Sequence, residues 1–307
     1  MNTFCTIITQ SHLPFAEALK SSLLKFNSNI VLSVLIVDEG ENKICTNSLN
    51  VIYMKDILES SSIGKQIVNK YSSPEEVDLL RWSLKPILIN YLLEDGYDKV
   101  IFTDPDTYYF SDYSFLFEEL ERSNIVLTPH WRGLTPKGNE TNFNLQFVEG
   151  LFNAGFIGVN NQGKTAMDWW AEMCLYKCIK DNTVGHFVDQ TYLNLLPIYF
   201  DKVQIIKHKG CNVANWNQQQ CERTKKKDMP TWILDKYPIV FIHFTSSTIK
   251  GIQGGEDHLL KHNLEEYNHK LLKCGWPQDI LFSENNDFNT LEKKQKLVTR
   301  FKKKLRI

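Results

Sequence analysis

Short apolar runs rich in β-branched residues alternate with helix-spaced segments through the first hundred residues. That alternation constrains the fold more than any other feature, because parallel strands need crossover helices between them. Residues 4–9 read as a strand, residues 14–26 as a helix with Pro14 in its first turn, and residues 30–37 as a second strand ending at Asp38. Residues 51–54 give a third strand. Residues 74–93 keep a helical period up to a stop at Asp95-Gly96, and Lys99–Thr103 is a buried strand that runs straight into Asp104-Pro105-Asp106. The predicted class is α/β, with a mixed, mostly parallel sheet flanked by helices. Ligands of such sheets bind beyond the carboxyl ends of the strands, where Asp38 and Asp104 both stand.

After residue 110 the order is less regular. Helices are expected over 113–121, 164–180, the end of 183–196, and 257–273; strands over 125–127, 152–159, 203–207 and 239–244. Residues 129–144 read as a polar loop and the TSSTIKGIQGGED segment after Phe244 as a flexible one. One globular domain over 1–256, followed by a helical C-terminal extension over 257–307, is the economical division.

A chain of 307 residues with 42% hydrophobic and 23% charged residues suits a soluble protein with a substantial core. No apolar run approaches the roughly 18 residues of a membrane-spanning helix, and residues 1–9 lack the basic start of a secretory signal. Seven cysteines, an odd number without a CxxC pair, argue against a disulfide framework or a zinc knuckle and fit a reducing, cytoplasmic setting. The formal charge of −1 is unevenly spread: residues 291–307 hold eight Lys or Arg and one Glu. Leu297, Phe301 and Leu305 repeat there every four residues, so the tail reads as a basic amphipathic helix for an anionic membrane surface, a peripheral location on its inner face. No nucleic-acid recognition module accompanies that charge.

The aspartate pair carries the chemistry. Two carboxylates one residue apart can converge on a hard divalent cation, Mn²⁺ or Mg²⁺, which binds carboxylate and phosphate oxygens. Pro105 stiffens the turn between them. DPD is also good turn material on its own, but a strand buried on both faces should not end in paired charges unless something neutralises them.

Five segments then fall in the order and spacing of one family: YDKVIFTDPDTYYFSDYSFLFEEL, LFNAGFIGVN, FVDQTYLN, CNVANWN and IVFIHFTSS, spread over residues 97–247. The chain resembles bacterial nucleotide-sugar glycosyltransferases of the GT-A fold, among them glycosyltransferase family 8. The resemblance implies that Asp104 and Asp106 form the metal-binding DxD and that His243 is the third metal ligand. It places Asn153 and Ala154 at the donor sugar and ribose, and Asp189 and Gln190, as the catalytic pair, beneath the anomeric carbon. Thr9 and Asp38 fall where such enzymes contact the nucleoside, and Lys85 where a basic residue reaches the donor. One segment departs from the family: Ser246 and Ile249 stand in the places of its glycine and lysine, and Lys250, one residue late, is the candidate phosphate ligand. His130 and Trp131 open the polar loop that would wall the acceptor.

The function implied is transfer of a sugar from a nucleoside-diphosphate donor, with UDP-sugars favoured, to a glycan or glycolipid of a bacterial surface polysaccharide or lipopolysaccharide, with retention. Two other classes compete. A sugar-nucleotide nucleotidyltransferase shares the sheet but needs a Gly-rich basic N-terminal loop, and residues 9–14, TQSHLP, contain no glycine. A catalytically inactive carbohydrate-binding protein of the same fold would have no use for the metal constellation.

Overall fold

A computed structural model describes residues 1–38, 49–181, 183–227 and 229–281. The strands are β1 Asn2–Ile8, β2 Val31–Ile36, β3 Asn50–Tyr53, β4 Lys99–Thr103, β5 Thr107–Tyr109, β6 Ile125–Pro129, β7 Phe152–Asn160, β8 Lys180–Asp181, β9 His186–Phe187, β10 Val203–Ile205, β11 Arg223–Thr224, β12 Trp232–Ile233, β13 Tyr237–Pro238 and β14 Phe241–His243. The α-helices are α1 Leu13–Leu23, α2 Met54–Ser60, α3 Ser62–Lys70, α4 Val77–Ser83, α5 Lys85–Glu94, α6 Ser114–Arg122, α7 Glu140–Val148, α8 Lys164–Tyr176, α9 Leu196–Tyr199, α10 Ser246–Gln253 and α11 Lys261–Lys273. Cys45 and the basic tail at 291–307 lie outside the described residues.

Seven strands form one sheet in the order β10-β6-β7-β4-β1-β2-β3. β1 pairs in parallel with β2 and β4, β2 with β3, and β10 with β6. β7 runs antiparallel to both its neighbours, β4 and β6. This is the mixed, mostly parallel sheet flanked by helices that the alternating pattern predicts. The central strands are buried along almost their whole length, as strands covered on both faces must be. On one face Leu88, Leu92, Met167 and Trp170, from α5 and α8, join Phe102 and Ile157. On the other, Ala16, Leu19, Leu116 and Leu120, from α1 and α6, pack against Phe4, Ile101 and Phe156. A third cluster binds α10 and α11 to the body through Phe15, Ile242, Phe244, Ile249, Leu264 and Tyr267. Phe244 and Tyr267 stack there with ring centroids 4.4 Å apart.

Three expectations change. The helix expected over 74–93 is divided between α4 and α5, because Pro86 has no N–H and its ring collides with the preceding turn. The polar loop at 129–144 is shorter than expected, since Asn139 accepts the Asn142 N–H at 2.9 Å and caps α7. The segment after His243 is not a flexible loop but helix α10. Thr245 caps it by accepting the Thr248 N–H at 3.2 Å, and Ile249 and Ile252 turn into the third cluster. Among the described residues, no helix is long and apolar enough to cross a membrane.

Candidate metal centre and cleft

The site starts from a turn. β4 ends at Thr103, and the chain reverses through Asp104-Pro105-Asp106 into β5. The Thr107 N–H closes the turn on the Asp104 carbonyl at 3.1 Å, the Thr107 hydroxyl donates to the same carbonyl at 2.8 Å, and the Asp104 N–H donates to the Gly155 carbonyl of β7 at 2.9 Å. With its backbone engaged in this way, the turn presents both carboxylates outward from the carboxyl end of β4. β5 then pairs with β14 in antiparallel register, which sets His243 opposite Thr107. The Phe244 N–H donates to the Asp106 carbonyl at 2.9 Å and locks the ribbon to the turn.

One ligand atom from each of Asp104, Asp106 and His243 therefore lies within 4.8 Å of the others. His243 Nε2 is 3.0 Å from Asp106 Oδ1 and 3.7 Å from Asp104 Oδ2. Burial acts to lower the His243 pKa, but the Asp106 and Asp104 carboxylates outweigh it and raise it. Burial likewise acts to raise Asp106, and the His243 ring outweighs it and holds the carboxyl below its ordinary value. Each shift favours the charged forms, so the cluster's electrostatics favour positive charge beside the two carboxylates. Two carboxylates and one imidazole suit a divalent ion of the Mn²⁺ type, and its binding would displace a proton from His243.

Gly155 makes the cluster possible. A Cβ there would stand 2.6 Å from His243 Cε1, 2.7 Å from Asn153 Oδ1 and 2.7 Å from Asp104 Oδ2. Gly155→Ala should push these groups apart, weaken Mn²⁺ binding at least ~10-fold and cost about 1–3 kcal/mol through overpacking. Mn²⁺ titration by thermal shift, with urea unfolding alongside, checks this. An alanine variant that binds Mn²⁺ like the parent would refute the packing argument.

Beside the candidate metal cluster lies a buried lysine shared between two carboxylates. The Lys85 ammonium, 3% exposed, is 3.1 Å from Asp189 Oδ2 and 3.5 Å from Asp104 Oδ1, and donates to the Ala154 carbonyl at 3.0 Å. Burial alone would lower the Lys85 pKa, but Asp104 and Asp189 outweigh it and raise it. Burial pushes Asp189 up to about 6 even against the pull of Lys85, and Asp104 adds to the rise. The indole N–H of Trp170 holds the Asp189 carbonyl at 2.9 Å.

These groups line a cleft of about 540 Å³ together with Ala154, Asn153, Gln190 and His130. Nine of the thirteen residues singled out in the sequence thus share one cavity. Four do not. Thr9 is buried against Ser11 and His12, and Asp38, at the surface, accepts the Gln10 N–H at 2.7 Å, so the two tie β1 to the chain after β2. Trp131 takes a left-handed φ of 52° and packs beneath Lys209 on the third cluster. Lys250 stands on the exposed face of α10, because Ile249 and Ile252 claim the buried one; Thr245, Ser246 and Ser247, at the start of that helix, reach the cleft instead.

Several cleft residues were not anticipated. Arg81 and Trp82 come from α4, Arg132 and Glu149 flank α7 as a buried ion pair, and Lys180 and Phe187 come from the β8–β9 hairpin. Nothing in their local pattern marks them, since each reaches the cleft through tertiary packing. Asn212 supports the cleft from behind: it is fully buried with a φ of 59°, a conformation that asparagine tolerates better than most residues, and its Nδ2 donates to Asn153 Oδ1 at 3.2 Å.

No family model matches the chain. Among curated proteins, it is 26% identical over 260 residues to the uncharacterized protein YfnF of Bacillus subtilis (strain 168), covering 82% of this chain and 83% of that one. It is 25% identical over 262 residues to the uncharacterized protein YfnD of the same strain, covering 80% and 78%. Among solved structures, it is similar to mouse xyloside xylosyltransferase 1 with a TM-score of 0.46 and 14% identity over 81% of this chain and 99% of that one. The galactosyltransferase LgtC, solved with donor and acceptor sugar analogs, gives a TM-score of 0.42 and 14% identity, covering 79% and 86%. The bifunctional enzyme WbbM gives 0.47 and 13%, covering 90% of this chain and 50% of that one.

Proposed function

We propose that this chain is a metal-dependent glycosyltransferase acting on a nucleoside-diphosphate sugar. The observation that carries the reading is the convergence of Asp104, Asp106 and His243 at the end of β4, inside the cleft that also holds Asp189 and Gln190. The two carboxylates and the imidazole would hold Mn²⁺ or Mg²⁺ against the donor's two phosphates, and a bound ion there supplies Lewis-acid neutralisation of the departing nucleoside diphosphate. The chain's own groups do the rest. Asp104 and Asp106 hold their geometry through the Thr107 turn. Asp189, buried beside Lys85, supplies negative charge near the reacting carbon, as carboxylates do in glycoside hydrolysis. Gln190 orients the sugar.

The finer parts of the reading rest on the sequence resemblance: a UDP-sugar donor, retention of configuration, and a glycan or glycolipid acceptor in bacterial surface polysaccharide or lipopolysaccharide synthesis. The basic tail supports a peripheral place at an anionic membrane, where such acceptors are built.

A panel of nucleotide sugars and nucleoside diphosphates tests the reading. At least one should be hydrolysed or transferred with Mn²⁺ or Mg²⁺ and not with chelator. Its nucleoside diphosphate should stabilise the protein by about 2.7 kcal/mol at a hundredfold excess over Kd, and only with metal present. A complete panel with neither turnover nor a metal-dependent shift would reject the proposal.

A further inference from the structure

Three polar side chains in the cleft form a chain whose hydrogens can be assigned from backbone donors alone. The Gly155 N–H donates to Asn153 Oδ1 at 3.1 Å, so that atom is the amide oxygen. The Ala154 N–H donates to Gln190 Oε1 at 3.0 Å, which fixes the second amide in the same way. Asn153 Nδ2 then gives one hydrogen to Gln190 Oε1 at 3.2 Å and faces His130 Nε2 at 3.3 Å with the other. An amide nitrogen is a donor only. His130 Nε2 is therefore the acceptor, and the ring proton sits on Nδ1, where the Gly150 carbonyl takes it at 3.0 Å. Burial, with the Arg132 charge, holds the ring neutral, its pKa pushed down to about 3.

The count closes. Asn153 Oδ1 also accepts from Asn212 Nδ2 at 3.2 Å, so Asn153 spends both hydrogens and both lone pairs inside the protein. His130 spends both nitrogens. Gln190 Nε2 gives one hydrogen to the Glu149 carbonyl at 2.8 Å. The second Gln190 Nε2 hydrogen is the one donor of these three side chains left for a ligand.

We propose that His130 and Asn153 are positioning residues that act through Gln190, and that neither offers a polar atom to donor or acceptor. The inference rests on the glycosyltransferase reading for its substrate, and it reassigns Asn153, which the sequence resemblance placed at the donor sugar, and His130, which the polar-loop reading placed at the acceptor. His130 holds the Asn153 amide, Asn153 holds Gln190 Oε1, and of these three side chains only Gln190 meets the transferred sugar. Small displacements of such a group cost rate rather than binding, because the geometry of the reacting atoms is what they disturb.

The test uses the full chain, with His130→Leu and His130→Gln. Glutamine can offer an oxygen to Asn153 Nδ2 and an N–H to the Gly150 carbonyl, whereas leucine offers neither. Long-range proton–nitrogen spectra of the parent at neutral pH, with His130 assigned by the signal lost in His130→Gln, should show the Nδ1–H tautomer. An Nε2–H or doubly protonated ring overturns the proposal whether or not any donor is turned over, so this arm stands apart from the glycosyltransferase reading. For the donor that the panel identifies, acceptor-free hydrolysis by His130→Leu should fall ~10-fold or more in kcat with KM and Mn²⁺ binding within about twofold of the parent. His130→Gln should restore kcat to within about threefold. If hydrolysis is untouched and only transfer to acceptor falls, His130 contacts the acceptor and the proposal is wrong. It is equally overturned if both variants lose Mn²⁺ and UDP binding together, which is the mark of a merely structural role.

Discussion

Asp106→Asn should abolish metal-dependent turnover and leave the protein folded. The substitution preserves the shape of the side chain and one oxygen but removes the charge that faces His243 at 3.0 Å. Bound Mn²⁺ or Mg²⁺ would lose one of two carboxylates, and the departing diphosphate would lose the neutralisation that depends on it. A loss of about 4 kcal/mol of transition-state stabilisation corresponds to ~10³-fold in rate. The carboxylate is partly exposed at the cleft and lies outside the main hydrophobic clusters, so unfolding by circular dichroism should move by only a few degrees. The His243 ring should at the same time fall back toward an ordinary histidine pKa, since Asp106 is the strongest influence raising it. Turnover that persists in the asparagine variant, or in the parent under excess chelator, would remove the metal from the mechanism.

The second large effect is on stability. Lys85→Met should cost about 3–5 kcal/mol near pH 8, the range for stranding one partner of a buried ion pair. Asp189 is 1% exposed, and Lys85 is the cation that faces it. The sign of the pH dependence follows from Asp189. Its folded pKa of about 6 lies above its ordinary value of 3.8, so the native state holds that proton more tightly than the unfolded chain. The stabilisation is complete below pH 3.8 and is lost as pH rises through 6, by roughly 3 kcal/mol. Without Lys85 the carboxyl moves higher still, and the loss on the alkaline side steepens. Asp189→Asn should flatten this part of the profile. The double variant Lys85→Met/Asp189→Asn should recover more than about 1 kcal/mol relative to the sum of the two single changes. Urea unfolding at pH 4, 6 and 8 measures all three. A Lys85→Met protein as stable as the parent at pH 8 would show that water or another group serves Asp189.

Much of this was legible from residue types and periods. The strand Lys99–Thr103 is legible to the residue, because four consecutive apolar or β-branched positions, Val100 to Thr103, between the turn at Gly96 and a charged pair leave little choice. The same contrast, buried strand against paired carboxylates, points to the turn that carries the candidate metal centre. Other features depended on contacts that a one-dimensional pattern does not hold. α10 contains Gly251 and has a Thr-Ser-Ser start, with Gly254 and Gly255 just beyond it, all good loop material, yet it is helical because Ile249 and Ile252 meet the third cluster. The need for glycine at position 155 is steric and arises from three side chains on three different elements. The standing of Asn153 could not be read from FNAG, since the partners that exhaust its amide lie at positions 130, 190 and 212.

The metal cluster joins neighbours on a turn to a partner far along the chain. Asp104 and Asp106 sit on a turn that closes locally after β4, but His243 arrives only when β14 pairs with β5. β14 in turn is clamped by α10 and α11 through the third cluster. A three-ligand grip on a cation is therefore a contact of very high sequence separation, among the slowest kind to form. A cation held by all three groups would bind only the closed state and would add its binding free energy to the stability of the C-terminal region. A chain still emerging from the ribosome, or one clipped before residue 243, would carry the aspartate turn without its third ligand.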